Sequence, residues 1–250
     1  MKWQDEAIIL GSRPYGETSV ILEVLTKNHG YHAGLVKGGA SKVKRSILQP
    51  GNLVQINWRA RLEEQLGNFS LEVVVYYAVK LMNDADLLYA FSILRFHINL
   101  LTERVKHELL YDILLILLEY GFKADEASAR FFLAELVLRF EFVYLAELGF
   151  GIDTNSCAAT GTTVNLCYVS PKSGQAVSRA AGEPWKHKLL LLPQFLLYRE
   201  QRLDKIEDIE AGQKLLTYFL YKNIWQPDNI KPLATRSWFF ENIIENIQNL

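Results

Sequence analysis

Seven cations, Lys27, Lys37, Lys42, Lys44, Arg45, Arg59 and Arg61, lie between Glu23 and Glu63 with no acidic residue among them. Lysine and arginine at their ordinary pKa values are cations at neutral pH, so the first chemistry open to this set is the neutralisation of anions. The whole chain carries 27 Lys plus Arg against 28 Asp plus Glu. Solubility gives no reason to sort charge in this way, and the sorting points to a polyanionic partner, nucleic acid first. At the centre of the window is Lys37-Gly38-Gly39-Ala40-Ser41-Lys42, whose glycines let the backbone approach a ligand while Lys37, Lys42, Lys44 and Arg45 supply charge. A nucleotide-hydrolysing loop needs a strand-to-helix turn. This stretch follows a strand and reads as opening no helix, so nucleotide hydrolysis is not expected. A solvated, mobile loop is the plain alternative.

Other chemistries find less support. Nucleophilic catalysis needs a nucleophile, a base and an orienting group, and no Gly-x-Ser-x-Gly turn is present. His97 and His107 fall on or beside helical stretches, where a packed or solvated histidine is the ordinary case. Glu63 with Glu64, and Asp204 with Glu207 and Asp208, read as solvated charges rather than a metal-dependent nuclease site. No catalytic residue is assigned. Cys157 and Cys167 are too few for a disulfide framework, so reduced thiols are expected and the sequon Asn68-Phe69-Ser70 is a coincidence of composition. The first residues form no apolar leader, and runs such as Leu109 to Leu118 fall short of the ~20 residues a membrane span needs. The expectation is a compact cytoplasmic protein.

The elements that must carry the cations are strands. Glu6 to Gly11, Thr18 to Leu25 and Tyr31 to Lys37 are apolar runs, the last two separated by the turn Asn28-His29-Gly30. After Pro50-Gly51, Val54, Ile56 and Trp58 alternate with Gln55, Asn57 and Arg59, the period of a half-buried strand. Arg59 and Arg61 take the polar phase, and Trp58 takes the core face with Val54 and Ile56. Tyr15 and Tyr31, beside turns, are freer for stacking on bases. Phe69 to Tyr76 follows Gly67-Asn68 and makes about five strands, enough for a small antiparallel β-barrel over residues 1–80.

Residues 81–250 read as an all-helical domain, so the chain is α+β. Leu87, Phe91, Leu94, Ile98, Leu101 and Val105 share one helical stripe, which Asp84 or Asp86 can cap. Leu110 to Leu118 repeats the pattern up to Gly121. Asp125 to Leu148 reads as the central helix, with Glu135 and Arg139 placed for an i,i+4 pair. An irregular insert at about 153–193 precedes two closing helices, about Ile209 to Trp225 and Thr235 to Ile247. Residues 1–80 hold ten Lys or Arg against seven Asp or Glu, and the remainder 17 against 21, so the β-half is the basic half.

Ser12-Arg13-Pro14-Tyr15-Gly16-Glu17-Thr18-Ser19, Gly34-Leu35-Val36-Lys37-Gly38 and Leu48-Gln49-Pro50-Gly51 resemble the N-terminal domain of RecO, a bacterial recombination mediator family. Tyr168 to Ser178 and Leu190-Leu191-Leu192-Pro193 resemble that family's insert. The resemblance implies an oligonucleotide-binding (OB-fold) barrel followed by a helical domain, with no enzymatic activity. It implies binding of single- and double-stranded DNA, annealing of strands coated with single-strand DNA-binding protein, and action with RecR in loading RecA, at the bacterial nucleoid. The DNA-contact surface would comprise Arg13, Lys37, Lys42, Lys44, Arg45, Arg59 and Arg61. The acidic, apolar tail of single-strand DNA-binding protein would suit a groove rimmed by Arg130, Arg139 and Arg179. Many members hold zinc with four cysteines in a zinc-ribbon-like insert. Here Cys157 alone keeps the pattern, with Thr160, Val177 and Ala180 at the other positions and Cys167 off it, so no zinc or other cofactor is expected. The competing reading is a non-catalytic scaffold whose basic barrel binds an acidic protein. A hydrolase or nuclease ranks third.

Overall fold

The computed structural model describes residues 1–120 and 126–249. The chain divides into two compact units, Met1–Phe122 and Lys123–Leu250. Strands give way to helices shortly before residue 80, but the packing boundary lies further along, so the first helices belong with the strands.

The first unit is built on β1 (Lys2–Tyr15), β2 (Ser19–Thr26), β3 (Gly30–Val36), β4 (Leu53–Arg59) and β5 (Asn68–Val75). They bond in the order β1-β2-β3-β5-β4, and β4 pairs back onto β1 to close a ring. All pairs are antiparallel except β3 with β5, a parallel contact at Leu35 and Asn68. Inward side chains such as Ala7, Ile9, Leu22, Val24, Val54, Ile56 and Trp58 make the core. β1 is much longer than its apolar run. Its register shifts between Ile9 and Gly11, and beyond Ile8 it pairs only with β2. The far stretch of β1, which holds Pro14, is thus paired with a strand on one side.

The glycine-rich stretch does open a helix, contrary to expectation. α1 (Lys42–Ile47) starts at Ser41, whose Oγ accepts from the Lys44 N–H. Its last carbonyls, of Ser46 and Ile47, are taken by Asn52 Nδ2 at 3.0 and 2.9 Å. The helix is one and a half turns with no buried residue, too short for periodicity to reveal.

α2 (Ala78–Asn83), α3 (Ala85–Ile98) and α4 (Glu108–Tyr120) complete the unit. Asp84 caps α3 by accepting from the Leu87 N–H at 3.0 Å, an arrangement that contributes about 1 kcal/mol. α3 ends at Ile98 and does not reach Val105. Leu101 is buried but Val105 is exposed, and Arg104 takes a positive φ of 68°, which no helix tolerates. Gly121 and Asp125, the expected stop of α4 and start of the next helix, lie outside the described residues.

The second unit holds α5 (Glu126–Glu147), α6 (Arg179–Gly182), α7 (Gln194–Leu197), α8 (Ile206–Leu220) and α9 (Ala234–Gln248), with a π turn over Tyr221–Trp225. A buried ion pair joins three of these helices. Arg236 of α9 donates to both oxygens of Glu141 on α5 at 2.6 and 2.7 Å, and to Thr217 Oγ1 on α8 at 2.7 Å. The region is not all-helical, and the insert is not irregular throughout. β6 (Leu166–Val169), β7 (Ala176–Ser178) and β8 (Leu190–Leu191) form a sheet in the order β7-β6-β8. Strands of four, three and two residues leave no readable alternation. The turn at Ser170 is held by polar contacts, with the Gly174 N–H donating to Ser170 O at 2.8 Å and Lys222 Nζ, from the π turn, to Pro171 O at 2.9 Å.

Candidate nucleic-acid interface

Register decides which polar side chains become neighbours. In the β1–β4 and β4–β5 ladders, Lys2, Arg59 and Asn68 lie side by side, as do Gln4, Asn57 and Ser70, and then Glu6, Gln55 and Glu72. These rows share the outer face, since the intervening Trp3, Trp58 and Phe69 turn inward. The face is therefore graded, cationic at the Arg59 end and acidic at the Glu72 end. Glu6 is further occupied by Tyr111 of α4, whose hydroxyl donates to it at 2.8 Å.

A cavity of about 490 Å³ at the cationic end is lined by Lys37, Lys44, Arg59, Asn68, Phe69 and Ser70, among others. A second, of about 520 Å³, shares Arg59, Asn68, Phe69 and Ser70 and continues to Lys2, Gln4 and Asn57. Together they form one groove across the ring. Lys44 is held at its edge because its Nζ donates to Lys37 O at 2.8 Å, fixing the cation over the strand end. Among the described residues lining the two cavities there is no Asp, Glu, His or Cys. The groove can neutralise phosphates and offer amide and hydroxyl hydrogen bonds, and it holds no acid–base pair.

Three of the seven expected cations thus converge, Lys37, Lys44 and Arg59, and Lys2 joins them. Lys2 escapes a composition argument because Asp5 and Glu6 stand beside it; its opposition to Arg59 is the signal. Arg45 faces a separate cavity of about 350 Å³ with Ser12, Pro14 and Glu17, and Lys42 is exposed on α1. Arg13 lies 3.9 Å from Glu23, on the stretch of β1 beyond the β4 pairing. Arg61 is exposed but does not share the phase of Arg59, because β4 ends at Arg59. The loop that carries it is clamped by Arg104, which donates to the carbonyls of Glu63, Glu64 and Gln65.

The aromatic residues sort as the alternation predicts. Trp58 is 2% exposed, with its Nε1 donating to Leu66 O at 3.0 Å. Gly67, at φ +67°, lies against its indole, where a Cβ would collide. Tyr15 is exposed, while Tyr31 is half-buried, its hydroxyl pushed up to about 12 by burial and by Glu23 and Glu103. A fourth cavity, of about 460 Å³, shares Lys2, Trp3 and Trp58 with the groove and continues to His29 and His32.

In the second unit, Arg139 is taken up by the fold. Its Nε donates to Glu135 Oε1 at 2.7 Å and its Nη2 to Gln201 O at 2.8 Å. Arg130 is half-buried, and Arg179 lines a cavity of about 380 Å³ whose walls also carry Glu207 and Asp208. The insert does not fit a four-thiolate zinc ion. Cys157 Sγ instead accepts from the Ser178 N–H at 3.2 Å. Burial opposes ionisation of this thiol, but hydrogen bonds from Ser178, Thr160 and Ala159 outweigh it and bring the pKa down to about 6. Among the described residues no group of three or more His, Cys, Asp or Glu could hold a metal ion, and no helix is long and apolar enough to cross a membrane.

A strand ring with a cationic groove, joined to a helical region bearing a small three-stranded sheet, defines a mixed α+β protein. The particular family follows from comparison. Residues 1–77 match the model of the recombination protein O N-terminal region and residues 85–227 that of its C-terminal region. The chain is 50% identical over 236 residues to the DNA repair protein RecO of Bartonella henselae, covering 94% of this chain and 90% of that protein. It is 49% identical over 236 residues to the same-named protein of Bartonella quintana, covering 94% and 95%, and 44% identical over 241 residues to that of Rhizobium etli, covering 96% and 92%. The chain belongs to the RecO family.

Proposed function

We propose that this chain is a DNA repair and recombination mediator that binds single- and double-stranded DNA along the groove of Lys2, Lys37, Lys44 and Arg59. It anneals complementary strands and, with RecR, helps load RecA onto DNA covered by single-strand DNA-binding protein. The convergence of these four cations, from β1, the β3–α1 connection, α1 and β4, on one polar face carries the reading. Each displaces counterions from phosphate and reads no base. Lys42, Arg45, Arg13 and Arg61 extend the field around the groove. The DNA-binding domain is an OB-fold barrel of about residues 1–80, and the helical domain of residues 81–250 carries the protein contacts. Of Arg130, Arg139 and Arg179, the exposed Arg179 is best placed to meet the acidic tail of single-strand DNA-binding protein. The protein works at the nucleoid in the bacterial cytoplasm and acts by binding rather than as an enzyme.

Annealing of complementary oligonucleotides coated with single-strand DNA-binding protein tests this. The protein should accelerate pairing, and the triple variant Lys37→Ala, Lys44→Ala, Arg59→Ala should not. Salt-dependent DNA binding without any acceleration would favour a scaffold whose basic ring meets an acidic protein.

A further inference from the structure

The insert is a basic island. From Thr154 to Leu203 there are six Lys or Arg and two Asp or Glu, whereas the rest of residues 81–250 holds 11 against 19. At its surface a 3₁₀ turn, Glu183–Lys188, carries no buried residue and presents Trp185, which is 55% exposed. Lys186 and His187 follow at once, and Lys188 Nζ stands 5.4 Å from the Trp185 ring centroid.

A large exposed indole costs solvation, and this one is presented on a fixed turn. The Tyr168 hydroxyl of β6 donates to Glu183 Oε2 at 2.8 Å, and Lys186 Nζ donates to Glu183 Oε1 at 2.8 Å. Gly182, just before the turn, packs so closely on the Tyr168 ring that a Cβ would collide. Pro184 sets the first residues of the turn. These contacts hold the turn to the sheet. A planar ring on a pinned turn, with Lys188 beside it, loses little conformational entropy when a flat ligand stacks on it.

We propose that Trp185, with Lys186 and Lys188, is a second contact for single-stranded nucleic acid, the indole stacking an unpaired base while the lysines meet the flanking phosphates. The proposal rests on the DNA-binding reading above and adds to it a site outside the strand ring. Two single-strand sites on one chain suit an annealing protein, which must hold two strands. Stacking needs one flat face and tolerates any base. An acidic, apolar peptide needs a concave pocket for its aliphatic side chains, and Trp185 lines none of the cavities described above. Among the described residues Lys186 pairs with the exposed Glu183, a contact that water screens and a phosphate readily replaces.

The test measures the affinity of the full-length chain for a labelled oligo-dT strand and for a labelled duplex. Trp185→Ala should weaken single-strand binding at least about fivefold without changing its salt dependence, and Trp185→Phe should retain most of the affinity. Duplex binding should change far less, because its bases are already stacked. Lys186→Ala with Lys188→Ala should lower the single-strand salt slope by about one to one and a half units. Unchanged single-strand affinity in Trp185→Ala, with an unchanged melting curve, overturns the proposal. So does loss of binding to an acidic apolar peptide with DNA affinity intact. The triple groove variant in the same series separates the two readings: if it keeps full DNA affinity while Trp185→Ala loses it, the groove fails and the insert stands, and the opposite pattern leaves the groove and removes the insert.

Discussion

Lowering the pH from about 7.5 to 5 should cost this protein about 2 kcal/mol of folding stability through His32 alone. His32 lies on β3 with 2% of its surface exposed, and among the described residues neither ring nitrogen has a hydrogen-bond partner. The rings of Trp3, Trp58 and Phe69 enclose it, with centroids 5.2, 5.4 and 5.9 Å away. Burial, aided by Arg104 and His29, pulls its pKa from 6.5 down to about 4. The unfolded chain therefore takes up the proton near pH 6.5 and the folded protein only near pH 4. The contribution is complete above pH 6.5 and is lost as the pH falls toward 4. The difference in proton uptake amounts to about 2 kcal/mol at pH 5 and about 3 kcal/mol at pH 4. Urea unfolding of the wild type and of His32→Gln at pH 7.5, 6 and 5 isolates this group, because every other titration is common to both proteins. The wild type should lose about 2 kcal/mol more than the variant over that range. Parallel pH dependences, or an imidazole resonance of His32 titrating near pH 6.5, would refute the reasoning.

Arg236→Met removes the guanidinium that donates to both oxygens of the buried Glu141 carboxylate and should lower stability by about 3 to 5 kcal/mol in denaturant unfolding, whereas Arg236→Met with Glu141→Leu should recover most of the loss. A cost below about 1 kcal/mol for the single variant would show that water reaches the pair. Tag-free protein treated with a strong zinc chelator should keep its melting temperature, and elemental analysis should find less than about one zinc per ten chains. A stoichiometric metal would contradict the reading of the insert.

Legibility in the sequence followed the length of the elements. The alternation of Val54, Ile56 and Trp58 is long enough to reveal a strand and its inward face, and the Leu87 to Ile98 stripe is long enough to reveal a helix, although only the structure chooses Asp84 over Asp86 as its cap. α1, β7 and β8 are too short for any period, and their geometry comes from partners remote in sequence, such as Asn52 for the end of α1. The cationic window announced a polyanion, but the groove is a product of register. Lys2 enters because it stands opposite Arg59, and Arg61 leaves because the strand ends two residues too soon. Arg139 shows the reverse case, since its i,i+4 partner Glu135 was legible and that pair commits it to the fold. Trp185 carried no local signal beyond being aromatic beside lysines, and its exposure depends on how Gly182 and Glu183 seat the turn on Tyr168.

In the proposed groove Lys37, Lys44 and Arg59 act together on phosphates. Anisotropy of labelled single-stranded and duplex DNA across a salt series, on the wild type and the triple-alanine variant, tests it most directly. The variant should bind both DNAs more weakly, irrespective of sequence, with a salt slope lower by about two to three units. A folded variant with the affinity and salt slope of the wild type would contradict the account.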